Sequence, residues 1–184
     1  MLNRFVVYSK YLNTKIRILL YSLFNPGRLI KVDLKCVMPH TVNIEVDRRG
    51  ELRIGKHTSC RSGCKINVRS DAILEIGDGV SINYNCIIAT RKNIKIGSGT
   101  IIGPNTCIYD HDHVFSASTS IHENIYSCEN VTIGENVWIG ANCIILKGTS
   151  IGSDSVIAAG SIVKGDVPCK TLLLQKRNTE LRKI

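Results

Sequence analysis

The chain has 184 residues, 43% of them hydrophobic, and a mean hydropathy of +0.05, which suits one soluble domain with a real core and at most a short accessory segment. A formal net charge of +9 points to an anionic partner, but an aromatic content of 5% and the lack of a nucleic-acid-binding motif argue against nucleic acid. Eight cysteines with no signal-peptide pattern argue against a secreted disulfide scaffold. Cys60 and Cys64 lie four apart with no second pair at zinc-finger spacing. The cysteines are therefore expected as small buried apolar residues in a reducing, cytoplasmic setting.

In chain order, residues 1–30 are expected to form a helical segment. NRFVVYSKYLNTKIRILLYSLF, at 3–24, sets apolar residues at helical spacing among Arg4, Lys10, Lys15 and Arg17, and Asn25-Pro26-Gly27 ends the run. One helix or a helix pair would close the open end of the structure that follows. The other reading is a basic amphipathic helix in peripheral contact with an anionic membrane. No apolar run reaches the roughly 18 residues that a membrane span needs.

Residues 31–168 carry an internal repeat. It is clearest from residue 133: IGENVW, IGANCI, ILKGTS, IGSDSV, IAAGSI, VKGDVP. Ile133, Ile139, Ile145, Ile151, Ile157 and Val163 recur every six residues, a period that is neither helical nor a plain two-residue alternation. The fourth place holds Asn136, Asn142, Gly148, Asp154, Gly160 and Asp166, types that tolerate a left-handed bend. The fifth holds Val137, Cys143, Thr149, Ser155, Ser161 and Val167, all compact enough for a tight corner. Three such units would close one coil and the coils would stack into an all-β solenoid.

Upstream the same phrase recurs at Leu52-x-Ile54-Gly55, Leu74-x-Ile76-Gly77, Ile94-x-Ile96-Gly97 and Val131-x-Ile133-Gly134, at spacings of 22, 20 and 37 residues. The first two spacings are read as one coil plus a small bulge. The third is read as one coil plus a protruding loop near 110–129, because no hexad can be traced between 114 and 129. Residues 169–184 are left as a tail.

That loop opens on IYDHDHVF, 108–115, where the alternating histidines and aspartates admit a metal site, a catalytic base or a polar turn. The hexapeptide pattern over roughly 50–168 resembles the left-handed parallel β-helix acyltransferases. Within that superfamily, NVWIGANCIILKGTSIG followed by AAGSIVKGDVP is most similar to the galactoside, maltose and nodulation-type O-acetyltransferases and their polysaccharide relatives. The resemblance implies a homotrimer that binds acetyl-CoA in a groove between neighbouring solenoids, needs no metal, and acts on a small-molecule or saccharide acceptor.

It also implies site residues. An aliphatic-Tyr-x-x-x-His phrase, here Ile108-Tyr109-Asp110-His111-Asp112-His113, places the general base on His113, with His111 the alternative. Neutral imidazole, whose ordinary pKa is about 6.5, suits that task. Asp110 or Asp112, and less well Glu123, would hold its other nitrogen. Trp138 would line the groove for donor and acceptor, with Ala141, Ala159 and Gly160 against the pantetheine arm. Lys164, Lys170, Lys176 and Arg177 would face the CoA phosphates. Relatives commonly read Val-Thr-Lys-Asp where this chain reads Val163-Lys164-Gly165-Asp166, so the basic residue is shifted. Asn83, in Asn83-Tyr84-Asn85, and Tyr109 are the expected acceptor contacts. Two readings compete: a zinc enzyme like the γ-class carbonic anhydrases, using His111, His113 and His122, and a solenoid that serves assembly without catalysis.

Overall fold

A computed structural model of the chain describes residues 2–115, 121–176, 180 and 182, with the backbone alone for residues 2–10 and Ile121. It is a parallel β-solenoid of about six turns with one α-helix among the described residues, Leu2–Phe24, at its N-terminal end. The chain visits three faces in a fixed order. The first face runs from Leu29–Val32 through Glu51–Ile54, Ile73–Ile76, Asn93–Ile96, Val131–Ile133 and Ser150–Ile151 to Asp166–Val167. The second runs from Ser59–Cys60 to Leu172–Leu173, and the third from Asn43–Val46 to Ile162–Val163. The strands therefore extend past the expected limits of 31 and 168.

The repeat is explained by the register. Ile133, Ile139, Ile145, Ile151, Ile157 and Val163 are all at most 2% exposed, and each stacks on its equivalent in the neighbouring coil. Asn136, Asn142, Gly148, Asp154 and Gly160 all take positive φ, between 53° and 73°. The sixth unit departs from the expectation. There Gly165, at φ 85°, makes the corner one residue early, so Asp166 starts a strand. Val167 pairs with Ile151 and fills the inward aliphatic place.

The early coils also differ from expectation, because they contain no bulge. Thr132 pairs with Ser150, eighteen residues on, whereas Glu51 pairs with Ile73, twenty-two residues on. The longer coils build four-residue strands on the first and third faces, such as Glu51–Ile54 and Lys65–Val68. Adding residues in pairs preserves the in–out alternation, so the aliphatics still face inward.

Two further features follow from stacked corners. The Gly of each Ile-Gly phrase meets the next coil: a Cβ on Gly97 would lie 2.4 Å from the Gly134 carbonyl carbon and oxygen, so backbone occupies the space a side chain would need. The compact fifth place is polar at many corners, although Val80 and Val137 fill it too. Thr58, Thr100 and Thr106 donate their hydroxyls to the carbonyls of Gly77, Gly134 and Gly140 at 2.8–3.1 Å. Cys36, Cys64, Cys86 and Cys143 make the same bond to Gly55, Asn83, Gly103 and Ala158. These cysteines are buried as expected, but they are there as donors and not merely as apolar filler. Burial pushes the Cys36 thiol up to about 11, whereas hydrogen bonding from Cys86 pulls Cys64 down.

The helix closes the first coil. Thr14 Oγ1 donates to the Met38 carbonyl at 3.1 Å and accepts from the Met38 N–H, while Arg17 reaches the Pro39 carbonyl at 2.7 Å. The Tyr21 hydroxyl accepts the Val46 N–H, and Ile18 and Tyr21 pack on the core.

Candidate active site

The excursion leaves the edge where the third face turns into the first. It is closed by the Glu129 N–H donating to the Asp110 carbonyl at 2.9 Å. Its base is an antiparallel hairpin in which His111, Asp112 and His113 pair with Cys128, Ser127 and Tyr126. Alternation along a strand puts His111 and His113 on one side and Asp112 on the other.

Asp110 anchors this hairpin. It is 0% exposed, and its carboxylate accepts the backbone N–H groups of Arg91 and Lys92 at 2.7–3.0 Å. Its Oδ1 also lies 2.9 Å from His111 Nδ1. An ionised carboxylate there accepts from Nδ1–H, leaving Nε2 of a neutral imidazole as an acceptor. The His111 ring meets Tyr109 and Tyr126 edge-on, at centroid distances of 6.1 and 5.6 Å. Burial and the Cys107 thiol hold the Tyr109 phenol above its usual range.

His113 is exposed, with its ring 4.5 Å from that of Tyr126. The Arg91 guanidinium lies 3.4 Å from the centre of the same tyrosine. Neither aspartate reaches His113: Asp110 is taken by His111, and Asp112 pairs with Lys147 at 3.2 Å. Lys147 is only 11% exposed, and it also approaches Glu129 at 3.9 Å and the Ser127 carbonyl at 3.4 Å. It thus fastens both strands of the hairpin to the next coil. Sequence reading missed Arg91, Tyr126 and Lys147; Tyr126 lies across the hairpin from His113, whereas Arg91 and Lys147 come from the coils on either side, Lys147 in an unremarkable hexad.

The other expected site residues lie elsewhere. Trp138, 58% exposed, is on the second face, and Ala141, Ala159 and Gly160 follow at the edge where that face turns into the third. Asn83 lies on this same edge two coils earlier and is half-buried. The structure therefore brings Asn83, Trp138, Ala141, Ala159 and Gly160 onto one edge, while Tyr109, His111, Asp112 and His113 gather at another. The Gly160 N–H donates to the Ala141 carbonyl at 2.8 Å, so it is not open to a ligand as expected. Lys164 is exposed at the hairpin's edge, and Lys170 is exposed at the third edge, between the first and second faces. Lys176 is exposed and Arg177 lies outside the described residues. The basic residues thus do not form one patch within a chain. Among the described residues, no three His, Cys, Asp or Glu side chains converge as a metal-ligand set.

With this geometry in place, the family description "Bacterial transferase hexapeptide (six repeats)" matches residues 130–165. Over those residues the chain is similar to the hexapeptide-repeat transferases. Over 132 residues the chain is 29% identical to WbbJ of Escherichia coli K12, named as a putative O-acetyl transferase of lipopolysaccharide biosynthesis, with 67% of each chain covered. Over 100 residues the chain is 37% identical to the galactoside O-acetyltransferase of Lactococcus lactis, covering 52% of this chain and 45% of that enzyme. The chain thus spans two thirds of the first relative and about half of the second. A solved structure from Vibrio cholerae, a hexapeptide-repeat acetyltransferase complexed with acetyl-CoA, superposes with a TM-score of 0.53 at 26% identity, covering 91% of this chain and 81% of that one.

Proposed function

We propose that the chain is an acetyl-CoA-dependent O-acetyltransferase acting on a hydroxyl of a sugar or surface-polysaccharide precursor. It works as a homotrimer, with each site at a boundary between copies. One observation carries this reading: the histidine edge and the Trp138–Ala159 edge are separated by the width of the third face, so one chain alone does not assemble a site. The faces support the same conclusion. The first is charged outside, with Arg53 bridging Glu51 and Glu75, as suits solvent. The second presents a column of Ile101, Trp138, Val156 and Leu172, three of them more than half exposed. The third presents Cys107, Ile144 and Ile162. Such apolar columns call for cover, and a second copy against them brings one chain's histidines to another's tryptophan.

In this arrangement His113 takes the acceptor hydroxyl proton as the oxygen attacks the thioester carbonyl, and returns it to the departing sulfur. The C–S bond breaks as the ester C–O bond forms. Small residues at Ala141 and Ala159 admit close approach of the donor's arm, and their N–H groups have no backbone partner among the described residues. His111, held by Asp110 and two tyrosines, fixes the strand that carries His113. The Asp110–His111 contact favours a second reading in which His111 is itself the base.

The function is tested by incubating the protein with acetyl-CoA and a panel of sugars, followed by mass spectrometry of the acceptors and elemental analysis of the protein. One added acetyl group on a hexose or amino-sugar hydroxyl is expected. Stoichiometric zinc with no acetylated product would overturn it in favour of the carbonic-anhydrase-like reading.

A further inference from the structure

Among its described side chains, the N-terminal helix uses one side to close the solenoid. Thr14, Arg17, Ile18 and Tyr21 face the first coil. The other side carries Leu12, Ile16, Leu19, Leu20 and Leu23 at helical spacing, all exposed, with Leu19 at 66% and Leu23 at 70%. Phe24 at 76% and Leu34 at 59% continue the patch onto the end of the stack. A groove of about 380 Å³ between helix and first strand is lined by Lys15, Leu19, Lys31 and Leu34, with one carboxylate, Asp33, so two cations stand beside the apolar stripe.

We propose that this end of the solenoid lies on an anionic membrane, with the helix in the plane of the headgroups. The charge balance selects that occupant. Residues 1–44 hold seven basic side chains (Arg4, Lys10, Lys15, Arg17, Arg28, Lys31 and Lys35) and one acidic, Asp33. A second copy on the same patch would bring the same positive charge against it, whereas an anionic lipid surface takes both the leucines and the lysines. The helix lies on the surface and does not cross it, since no described helix is long and apolar enough to span a membrane. Three copies side by side with parallel axes would place three such helices in one plane and multiply the attachment; this last point rests on the trimer proposed above.

The test is co-sedimentation of the full chain with phosphatidylcholine vesicles, with and without phosphatidylglycerol, at low and high salt. Binding to anionic vesicles is expected to exceed binding to neutral ones by about tenfold and to fall with salt. Leu19→Ser with Leu23→Ser, and separately Lys15→Glu with Lys31→Glu, should each reduce it by about tenfold while melting temperature and acetyl-CoA binding stay unchanged. Because donor binding is read on the same samples, a failure of the membrane proposal is distinguishable from a failure of the acetyltransferase reading. The proposal is overturned by absent or equal binding to the two vesicle types, by unchanged binding of both double variants, or by a larger assembly in solution that the leucine variant splits.

Discussion

His113→Ala is expected to lower kcat by about 100- to 10,000-fold, the range that general-base catalysis supplies, with acetyl-CoA binding retained. A sugar hydroxyl is a poor nucleophile, so the proton has to leave as the new bond forms. The exposed imidazole makes no hydrogen bond to a described residue that would compete for that proton, and its loss removes little packing beyond one face of Tyr126. The melting temperature should therefore hold while turnover collapses. Steady-state kinetics on His113→Ala and His111→Ala separate the two candidate bases. Unchanged turnover of His113→Ala beside a collapse in His111→Ala, with its fold intact, would move the role to His111.

Asp110→Ala is expected to damage stability and activity together. Its carboxylate receives the N–H groups of Arg91 and Lys92 and holds His111 at 2.9 Å, all from a fully buried position. Leaving two backbone donors unpaired costs roughly 2–6 kcal/mol, and partial water entry favours the lower end. The hairpin then loses its anchor at the point where it leaves the solenoid, so His113 shifts as well. Asp110→Asn keeps one acceptor and should recover part of the stability. Thermal unfolding and kcat measured on both variants check this; an Asp110→Ala protein with wild-type melting and turnover would show that the carboxylate holds nothing.

Much of the fold is legible in the hexads because a solenoid repeats one local problem. Ile139 and Ile145 face inward for the same reason, and Asn136 and Asn142 bend alike because each corner demands positive φ. The 37-residue spacing likewise locates the excursion, which leaves the coil at Asp110 and returns at Glu129. Periodicity is silent where coil length changes. Extra residues became longer strands instead of bulges, and Gly165 took the corner expected at Asp166. The site was legible only in its local part. IYDHDHVF shows the histidines, but the groups around them share no motif: Tyr126 lies on the returning strand of the hairpin, and Arg91 and Lys147 come from separate coils. Lys164 and Lys170, one hexad apart, necessarily stand on successive edges, so they could not form one patch within a chain.

The most direct measurement is a structure of the assembled protein with CoA bound. The account expects the CoA sulfur at a boundary between two copies, about 4 Å from the His113 imidazole of one, with Trp138 and Ala159 of the other along the pantetheine arm. A CoA lying against a single chain, or a sulfur remote from residue 113, would contradict it.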